Sequence, residues 1–395
     1  MTSAREIASS AAWRILLACA APVPDGALLQ ERLRSPFHPE ELLSLAEHHG
    51  VVPLLAQRLC ELEGGLISVE FQKRLREQRR AQLLFTLSLT AEMFRILESF
   101  RAAGIDAVVV KGPTLAVQAF GDPGLRQYSD LDILLCHRDV LRAATLMSTA
   151  GFSPEIPLDA AAEGRVPGQF LFTRAATRTI VELHTERTLR YFPRPLPLEE
   201  LFSRRAPITL DGRAVAALSP EDTLSFICVH GSKHLWERLM WVADVAALVT
   251  RPRTFDWSRA LATAEEVGAV RMVHLGLHLA TDCLQTVLPV DVQCSVRADR
   301  AAGRLAREIL RQLPEGENAE RGVIGRALFR ARMRGGLLRG SAYLFRLMLA
   351  PTEEDWNRAG EGSRWLETVR RPLRLVRKYR RGPAESTGPR PEQSG

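Results

Sequence analysis

The sequence predicts an α+β protein, in which a small mixed sheet with helices is flanked by an N-terminal helical segment and a C-terminal helical domain. Three observations point to this class. Apolar residues at helical spacing, with glycine at the helix ends, occupy the chain up to Gly104. Short segments rich in β-branched residues, separated by turn residues, follow. From Ser219 onward the apolar spacing is helical again.

These patterns divide the chain into four parts. We expect an N-terminal helical segment at 1–67, a core with a long lead-in helix at 68–215, a C-terminal helical domain at 216–381, basic toward its end, and a disordered tail at 382–395. Ser68 is the expected N-cap of the lead-in helix. The tail lacks large apolar residues, so it has little to bury and no reason to order.

The core pattern predicts four strands and a hairpin. The strands are IDAVVV (105–110), DLDILL (130–135), QFLFTR and TIVELHT, and the hairpin-like piece is APITLDGRAVAAL around Asp211-Gly212. Helices are expected at 112–120, where Pro113 lies in the first turn, and at 137–151.

The positive charge is concentrated toward the C-terminus. The formal net charge is +7, and residues 326–381 hold 15 Lys and Arg against 5 Asp and Glu. Clustered arginine can neutralise nucleic-acid phosphates, which leaves nucleic-acid binding open. No RNA- or DNA-binding motif accompanies the cluster, so we favour a solvated helical face or a contact with an acidic partner.

The cysteines and the N-terminus indicate the compartment. Six cysteines are scattered without a C-x-x-C pair, which argues against a zinc ribbon or a disulfide framework and for a reducing cytoplasm. WRILLACAA is interrupted by Arg14 and no basic segment precedes it, so we expect an amphipathic helix rather than a signal peptide. The sequence has no run of about 18 apolar residues, so no membrane span is expected. We therefore expect a cytoplasmic protein.

Three carboxylates form the first candidate site. Asp130 and Asp132 lie one residue apart in DLDILL, so in a strand both point to the same side. Glu182 lies in the apolar strand TIVELHT, where an acidic group is costly to bury unless it is paired or bound to a metal. Lys111 and Arg126 supply positive charge between the strands. Carboxylates on adjoining strands match a site for one or two Mg²⁺ ions.

Several segments together resemble a known family. KGPTLAVQAFGDPGLRQYSDLDILL, VELHTE, HGSKHLWERLMWVADVAALV and the helical lead-in AEHHGVVPLLAQRL are similar to the uncharacterised bacterial nucleotidyltransferase family of the DNA polymerase β-like superfamily. The resemblance covers roughly residues 40 to 375 and implies a polymerase β-like nucleotidyltransferase core. The superfamily has a Gly-Gly or Gly-Ser pair after its first strand; here Gly112 takes the first position and Pro113 follows it. The third carboxylate is Glu182, where aspartate is usual.

The resemblance also implies an activity and residue roles. The protein would transfer a nucleoside monophosphate from an NTP to a hydroxyl or phosphate of an acceptor, with release of pyrophosphate. The metal-binding catalytic residues would be Asp130, Asp132 and Glu182, and the nucleotide-binding residues would be Lys111, Gly112, Arg126 and Ser129. The sequence leaves the acceptor open among a small molecule, a peptide and a glycan.

Histidines form a second candidate site. His184 shares the face of Glu182 by the strand period, where it would lie near the acceptor, act as a base, or serve a structural role. On one continuous helix, His230, His234 and Trp241 share a face, with Asp244 close to it. We expect that face to line the cleft opposite the carboxylates, with Lys233 contacting nucleotide or acceptor. The alternative is a helix whose polar groups hold neighbouring helices. Zinc is not favoured, because the chain has no H-E-x-x-H and no evident third ligand.

Two functions of other classes compete with this interpretation. One is an RNA- or tRNA-modifying nucleotidyltransferase of the toxin type, which the basic C-terminal region would serve. The other is a catalytically silent nucleotide-binding protein, against which the intact carboxylates weigh.

Overall fold

A seven-stranded mixed sheet occupies the middle of the chain. The structure is a computed structural model. It describes residues 4–62, 65–155, 168–186, 192–251, 254–318 and 322–336, with Gly340, Ser341 and Tyr343. The strands are β1 (Ala107–Val109), β2 (Asp130–Leu135), β3 (Ser153–Pro154), β4 (Gln169–Arg174), β5 (Thr179–His184), β6 (Ala206–Leu210) and β7 (Arg213–Ala217). Their order in the sheet is β3-β4-β5-β2-β1-β7-β6. The β1–β7 and β2–β5 pairs are parallel, and the other four are antiparallel.

Helices precede, interrupt and follow the sheet. Six lie before it: α1 (Ala4–Ser9), α2 (Ala11–Ala20), α3 (Gly26–Arg34), α4 (Pro39–His48), α5 (Val52–Cys60) and α6 (Val69–Ala102). Within the described part of the chain, three lie between strands: α7 (Pro113–Phe120), α8 (Val140–Thr149) and α9 (Leu198–Ser203). In the described residues, seven follow: α10 (Pro220–Lys233), α11 (Leu239–Thr250), α12 (Trp257–Glu266), α13 (Val270–Leu284), α14 (Val290–Ala298), α15 (Arg300–Gln312) and α16 (Val323–Met333).

The predicted α+β class is confirmed, and local sequence explains most element ends. Ser68 accepts a hydrogen bond from Phe71 N–H at 3.2 Å and caps α6, as its position predicts. Asp211 and Gly212 both adopt positive φ, at 49° and 72°, which joins β6 to β7 as a tight hairpin. The tail at 382–395 lies outside the described residues, as does most of the basic region beyond 336. Among the described helices, none combines the length and apolar character needed to cross a bilayer.

Two hydrophobic cores support the sheet and the helices. One packs the lead-in helix α6 against the sheet through residues such as Met93, Phe100 and Leu131. The other joins helices from both ends of the chain, so that Leu16 and Leu55 share a core with Leu275. The domain boundaries remain predictions, but the N-terminal helices pack into the same core as the C-terminal helices.

The prediction of one helix through His230 and Asp244 is wrong. Helix α10 ends at Lys233 and α11 begins at Leu239, because Leu235 and Trp236 adopt left-handed φ values of 58° and 56°. The turn is stabilised by burial, since the Trp236 side chain is 0% exposed. Burying a large indole outweighs the cost of two non-glycine residues at positive φ, which is about 1–2 kcal/mol each.

His49 links the N-terminal helices to this turn. Leu239 N–H donates to His49 Nδ1 at 3.2 Å, and Met240 N–H donates to the His49 carbonyl at 3.1 Å. Burial, followed by the charge of His48, lowers the pKa of His49 to about 3. His49 is therefore a neutral hydrogen-bond acceptor at the start of α11.

Gly231 tests the packing of Trp236. A Cβ at Gly231 would lie 2.7 Å from Trp236 ring atoms, so Gly231→Ala should lower the free energy of unfolding by about 1–3 kcal/mol in urea denaturation. Gly303→Ala is the matched control, because its Cβ would meet nothing closer than 3.5 Å. That variant should be as stable as the wild type or up to about 1 kcal/mol more stable. Equal effects of the two substitutions would contradict the packing argument.

His49 also makes a pH-dependent contribution to stability. Because its pKa is lower in the folded protein than the ordinary 6.5, the unfolded chain binds the proton first, and stability is lost as pH falls from about 6.5 toward 3. From pH 7 to 5 the loss from this group should be about 2 kcal/mol. His49→Leu should be less stable at pH 7 but should change less between these pH values. Denaturation at both pH values, with exposed His38→Leu as control, checks this; an unchanged pH dependence in His49→Leu would contradict it.

Candidate active site

Asp132 is the most deeply buried carboxylate of the candidate site. Its side chain is 1% exposed, and its two oxygens contact different cations: Lys111 Nζ lies 2.8 Å from Oδ2, and His184 Nε2 lies 2.8 Å from Oδ1. Burial raises the pKa of Asp132, but Lys111 and then His184 lower it by more, so the pKa lies well below its usual range. Asp132 is therefore ionised and doubly paired.

The sheet register places the third carboxylate beside Asp132. Strands β2 and β5 run parallel with Asp132 directly opposite Glu182. His184, two residues further along β5, has Nε2 3.4 Å from Glu182 Oε2. Gln169 on β4 donates to the same Oε2 at 2.7 Å. Burial raises the pKa of Glu182, but the hydrogen bond from His184 contributes to a net lowering, so Glu182 is ionised as well.

His184 bridges the two carboxylates. Its burial favours the neutral ring, but its hydrogen bonds to Asp132 and Glu182 outweigh that effect and raise its pKa. The sequence prediction that His184 shares a face with Glu182 is confirmed by this contact. Gln169 was not predicted, and only the strand pairing that sets β4 beside β5 reveals it.

Lys111 connects the carboxylates to helix α10. Its Nζ lies 3.1 Å from His230 Nδ1 as well as 2.8 Å from Asp132. Burial, followed by the charge of Lys111, lowers the pKa of His230 well below its ordinary value, which leaves a neutral ring. A neutral Nδ1 accepts a hydrogen bond from the ammonium group. Lys111 therefore links His230 on α10 to Asp132 on β2 through two contacts.

Gly112 shapes the turn between β1 and α7. Its φ of 59° and ψ of −128° are open to glycine and strained for other residues. A Cβ there would lie 3.6 Å from the Asp130 carbonyl, so the turn passes close to the start of β2. Thr114 supports the turn by donating to the Lys111 carbonyl at 2.9 Å.

Asp130 and Ser129 lie toward solvent at the head of β2. Asp130 is half-buried, and Ser129 is exposed. Burial and then the charge of Asp132 raise the pKa of Asp130, while Lys111 opposes the shift. Asp130 is thus the least constrained of the three carboxylates, at the entrance to the site.

Arg126 forms a buried ion pair with Asp244, and its charge also acts on Asp130 and Asp132. Its Nε lies 2.9 Å and 3.1 Å from the two carboxylate oxygens of Asp244 on α11. Both side chains are almost fully buried, at 6% and 3% exposure. Its predicted contact with phosphate is untested. The contact in the structure holds the loop before β2 against α11.

The predicted histidine face forms across the turn rather than along one helix. The ring centroids of His230 and His234 are 4.6 Å apart, and that of Trp241 on α11 is 5.7 Å and 5.1 Å from them. Burial and then the charge of Lys233 lower the pKa of His234 to about 3. The cluster is neutral and aromatic, and it contacts Lys111 through His230.

A cleft lies beside these residues. Its polar lining includes all of Lys111, Glu182, His184, His230 and Lys233. The structure therefore brings residues from both predicted sites to one cleft, which Asp130, Asp132 and Arg126 do not line.

The donor atoms near Asp132 are compatible with a metal ion. Within the described residues, one ligand atom each of Asp132, Glu182 and His184 lie within 4.8 Å of one another. Mg²⁺ prefers oxygen ligands. Asp132 and Glu182 supply such oxygens, whereas Asp130, the third predicted ligand, is not part of this group in the described residues.

Carboxylates on the neighbouring parallel strands β2 and β5 lie next to a glycine turn that begins helix α7. Residues 35–285 match the family described as uncharacterised nucleotidyltransferase. This match covers more than half of the chain, and the chain belongs to that family. The protein is thus a nucleotidyltransferase, as predicted. No curated protein matches the sequence.

One solved structure provides a distant comparison. It is a crystal structure of an antigenic nucleotidyltransferase-like protein from Paracoccidioides brasiliensis, with 15% identity and a TM-score of 0.31. The alignment covers 53% of this chain and 95% of that chain. At this level of similarity the alignment carries no argument about the site.

The Arg126–Asp244 pair yields a stability prediction. Asp244→Leu leaves a buried guanidinium without its partner, so the free energy of unfolding should fall by about 3–5 kcal/mol. The double variant Arg126→Met/Asp244→Leu removes both charges and should lose clearly less. Urea denaturation of Asp244→Leu, Arg126→Met and the double variant provides the test. If the double variant lost the sum of the two single effects, the pair would not be coupled.

Proposed function

We propose that the protein uses Mg²⁺ to transfer a nucleoside monophosphate from an NTP to a hydroxyl group of an acceptor, with release of pyrophosphate. The observation that supports this proposal best is the pairing of Asp132 with Glu182 across two parallel strands. Lys111 and His184 lie within hydrogen-bonding distance of Asp132. This arrangement brings two carboxylates and two cationic side chains together on adjoining strands.

The carboxylates are the proposed metal ligands. Asp130, Asp132 and Glu182 would hold one or two Mg²⁺ ions, which neutralise the charge that develops on the transferred phosphoryl group. Their depth in the sheet fixes their relative positions, since β2 and β5 pair through five successive residues. Preorganised charge of this kind needs little rearrangement during the reaction.

The turn after β1 is the proposed site of the triphosphate. Gly112 lets the backbone approach phosphate oxygens, because no side chain projects from it. Lys111 supplies a positive charge, and His230 holds its ammonium group in position. Ser129 lies exposed at the head of β2, where its hydroxyl can donate to phosphate.

The proposed reaction is an in-line displacement at the α-phosphorus. The acceptor oxygen forms a bond to this atom, and the bond to the oxygen that bridges to the β-phosphate breaks. Pyrophosphate leaves with that electron pair. Glu182 is the proposed group that draws the hydroxyl proton away, and His184 orients Glu182 through their 3.4 Å contact.

Asp132→Asn provides the direct test of this function. The substitution keeps the size of the side chain but removes the charge, so transfer from labelled NTP should fall by about 10³-fold or more. The matched control is Asp106→Asn, because Asp106 is exposed next to β1 and pairs with Arg205 outside the cleft. That variant should retain wild-type transfer.

The outcomes separate the competing functions. Transfer that survives Asp132→Asn would contradict the proposed metal site. Mg²⁺-dependent NTP binding by the wild type, without transfer to any acceptor, would favour the silent nucleotide-binding protein. Transfer to tRNA that is lost when residues 326–381 are removed would favour the RNA-modifying function.

A further inference from the structure

The cleft beside Glu182 has an apolar wall that the proposed chemistry does not use. Its apolar lining residues are Val110, Phe192, Leu196, Phe226 and Val229. The rings of Phe192 and Phe226 pack against each other, with centroids 4.9 Å apart and planes inclined at 57°. The wall comes from helix α10, from the chain that leads to α9, and from Val110 directly before Lys111; Glu182 and His184 line the same cleft.

The position of the cleft indicates which substrate it binds. Glu182 and His184 line it, whereas Asp130 and Asp132 do not. In an in-line displacement, the attacking and leaving oxygens lie on opposite sides of the phosphorus atom. Because Glu182 is the proposed group that activates the attacking hydroxyl, the cleft beside it lies on the attacking side. The nucleotide would approach from the side of Gly112 and Asp130.

The lining indicates the chemical class of that substrate. A sugar carries a hydroxyl group on most of its carbons, and each one buried against Phe192, Phe226 or Val229 without a partner costs free energy. A nucleic acid needs an open cationic groove. This cleft holds two lysines, Lys111 and Lys233, beside five apolar residues, and Lys111 is paired with Asp132. An aromatic or branched aliphatic group instead removes apolar surface from water on both sides.

We propose that this cleft is the acceptor subsite, and that the acceptor is a small molecule that carries its reacting hydroxyl on an aromatic or branched aliphatic group. The proposal rests on the proposed nucleotidyl transfer. The apolar group packs against Phe226 and Val229, and its hydroxyl faces Glu182 and His184 at the polar end. The acceptor oxygen forms a bond to the α-phosphorus while the bond from that atom to the bridging oxygen breaks, the hydroxyl proton passes to Glu182, and pyrophosphate leaves.

Small alcohols test the cleft without any need for turnover. Ligand-observed NMR is used to measure binding of 4-methylphenol, cyclohexylmethanol and methyl glucoside to the full chain. We expect the two apolar alcohols to bind and methyl glucoside not to bind. Val229→Phe fills the cleft and should weaken the binding of both alcohols about tenfold or more. Phe226→Leu removes part of the apolar wall and should weaken the binding of 4-methylphenol more than that of cyclohexylmethanol.

Two controls make the result specific. Ile227→Val is a matched substitution on α10, since Ile227 is buried but does not line the cleft, and it should leave alcohol binding unchanged. The affinity for Mg²⁺ with ATP, GTP, CTP or UTP should be equal in the wild type and all three variants. Equal nucleotide affinity also shows that each variant is folded.

Three results would overturn the proposal. In the first, methyl glucoside binds as well as the alcohols, or the alcohols do not bind. In the second, Val229→Phe weakens nucleotide binding as much as alcohol binding, which would place the nucleobase in the cleft. In the third, a transfer assay labels methyl glucoside or tRNA but neither alcohol. Failure of the proposed function has a different signature, namely nucleotide binding that is absent or independent of Asp132 while the alcohols still bind.

Discussion

The site depends on keeping one buried carboxylate ionised. Asp132 is 1% exposed, and an isolated charge at that depth would take up a proton or move toward solvent. Lys111 and His184 prevent this by contacting one oxygen each, both at 2.8 Å. These cations come from the chain after β1 and from β5, the two strands that flank β2. The charge on Asp132 and the alignment of three strands are therefore one constraint, because a slip of one residue would turn the side chains to the opposite face.

Local periodicity was sufficient to predict which side chains share a face. The strand period of two places Asp130 with Asp132, and Glu182 with His184, without knowledge of strand order. Gly112 was predicted to approach phosphate, which stays a prediction; the structure adds that its φ of 59° suits glycine. Strand order itself was not predictable, because the parallel β2–β5 pair joins residues about fifty positions apart. That long-range pairing brings Glu182 opposite Asp132, whereas Gln169 reaches Glu182 through the local β4–β5 hairpin.

Other features depended on packing that no local pattern contains. A continuous apolar spacing from residue 230 predicted one helix, but the burial of Trp236 and the small Gly231 beneath its ring allow a sharp turn instead. The turn still gathers His230, His234 and Trp241, so the predicted cluster forms by a different route. Arg126 has a partner in the structure that no local pattern could indicate. Its type and position suggested a phosphate contact, yet its carboxylate partner, Asp244, lies 118 residues away on α11.

The neutral histidines explain why the helical part of the chain matters to the carboxylates. A protonated His230 would repel Lys111, and the ammonium group would lose one of its two partners beside Asp132. Burial and the charge of Lys111 itself keep the ring neutral, so it accepts a hydrogen bond instead. Burial of this face depends on the turn after α10, and His49 of the N-terminal helices accepts a hydrogen bond from the first residue of α11. The N-terminal helices therefore contribute to the site without touching it: they hold the turn that keeps the histidine neutral beside Lys111.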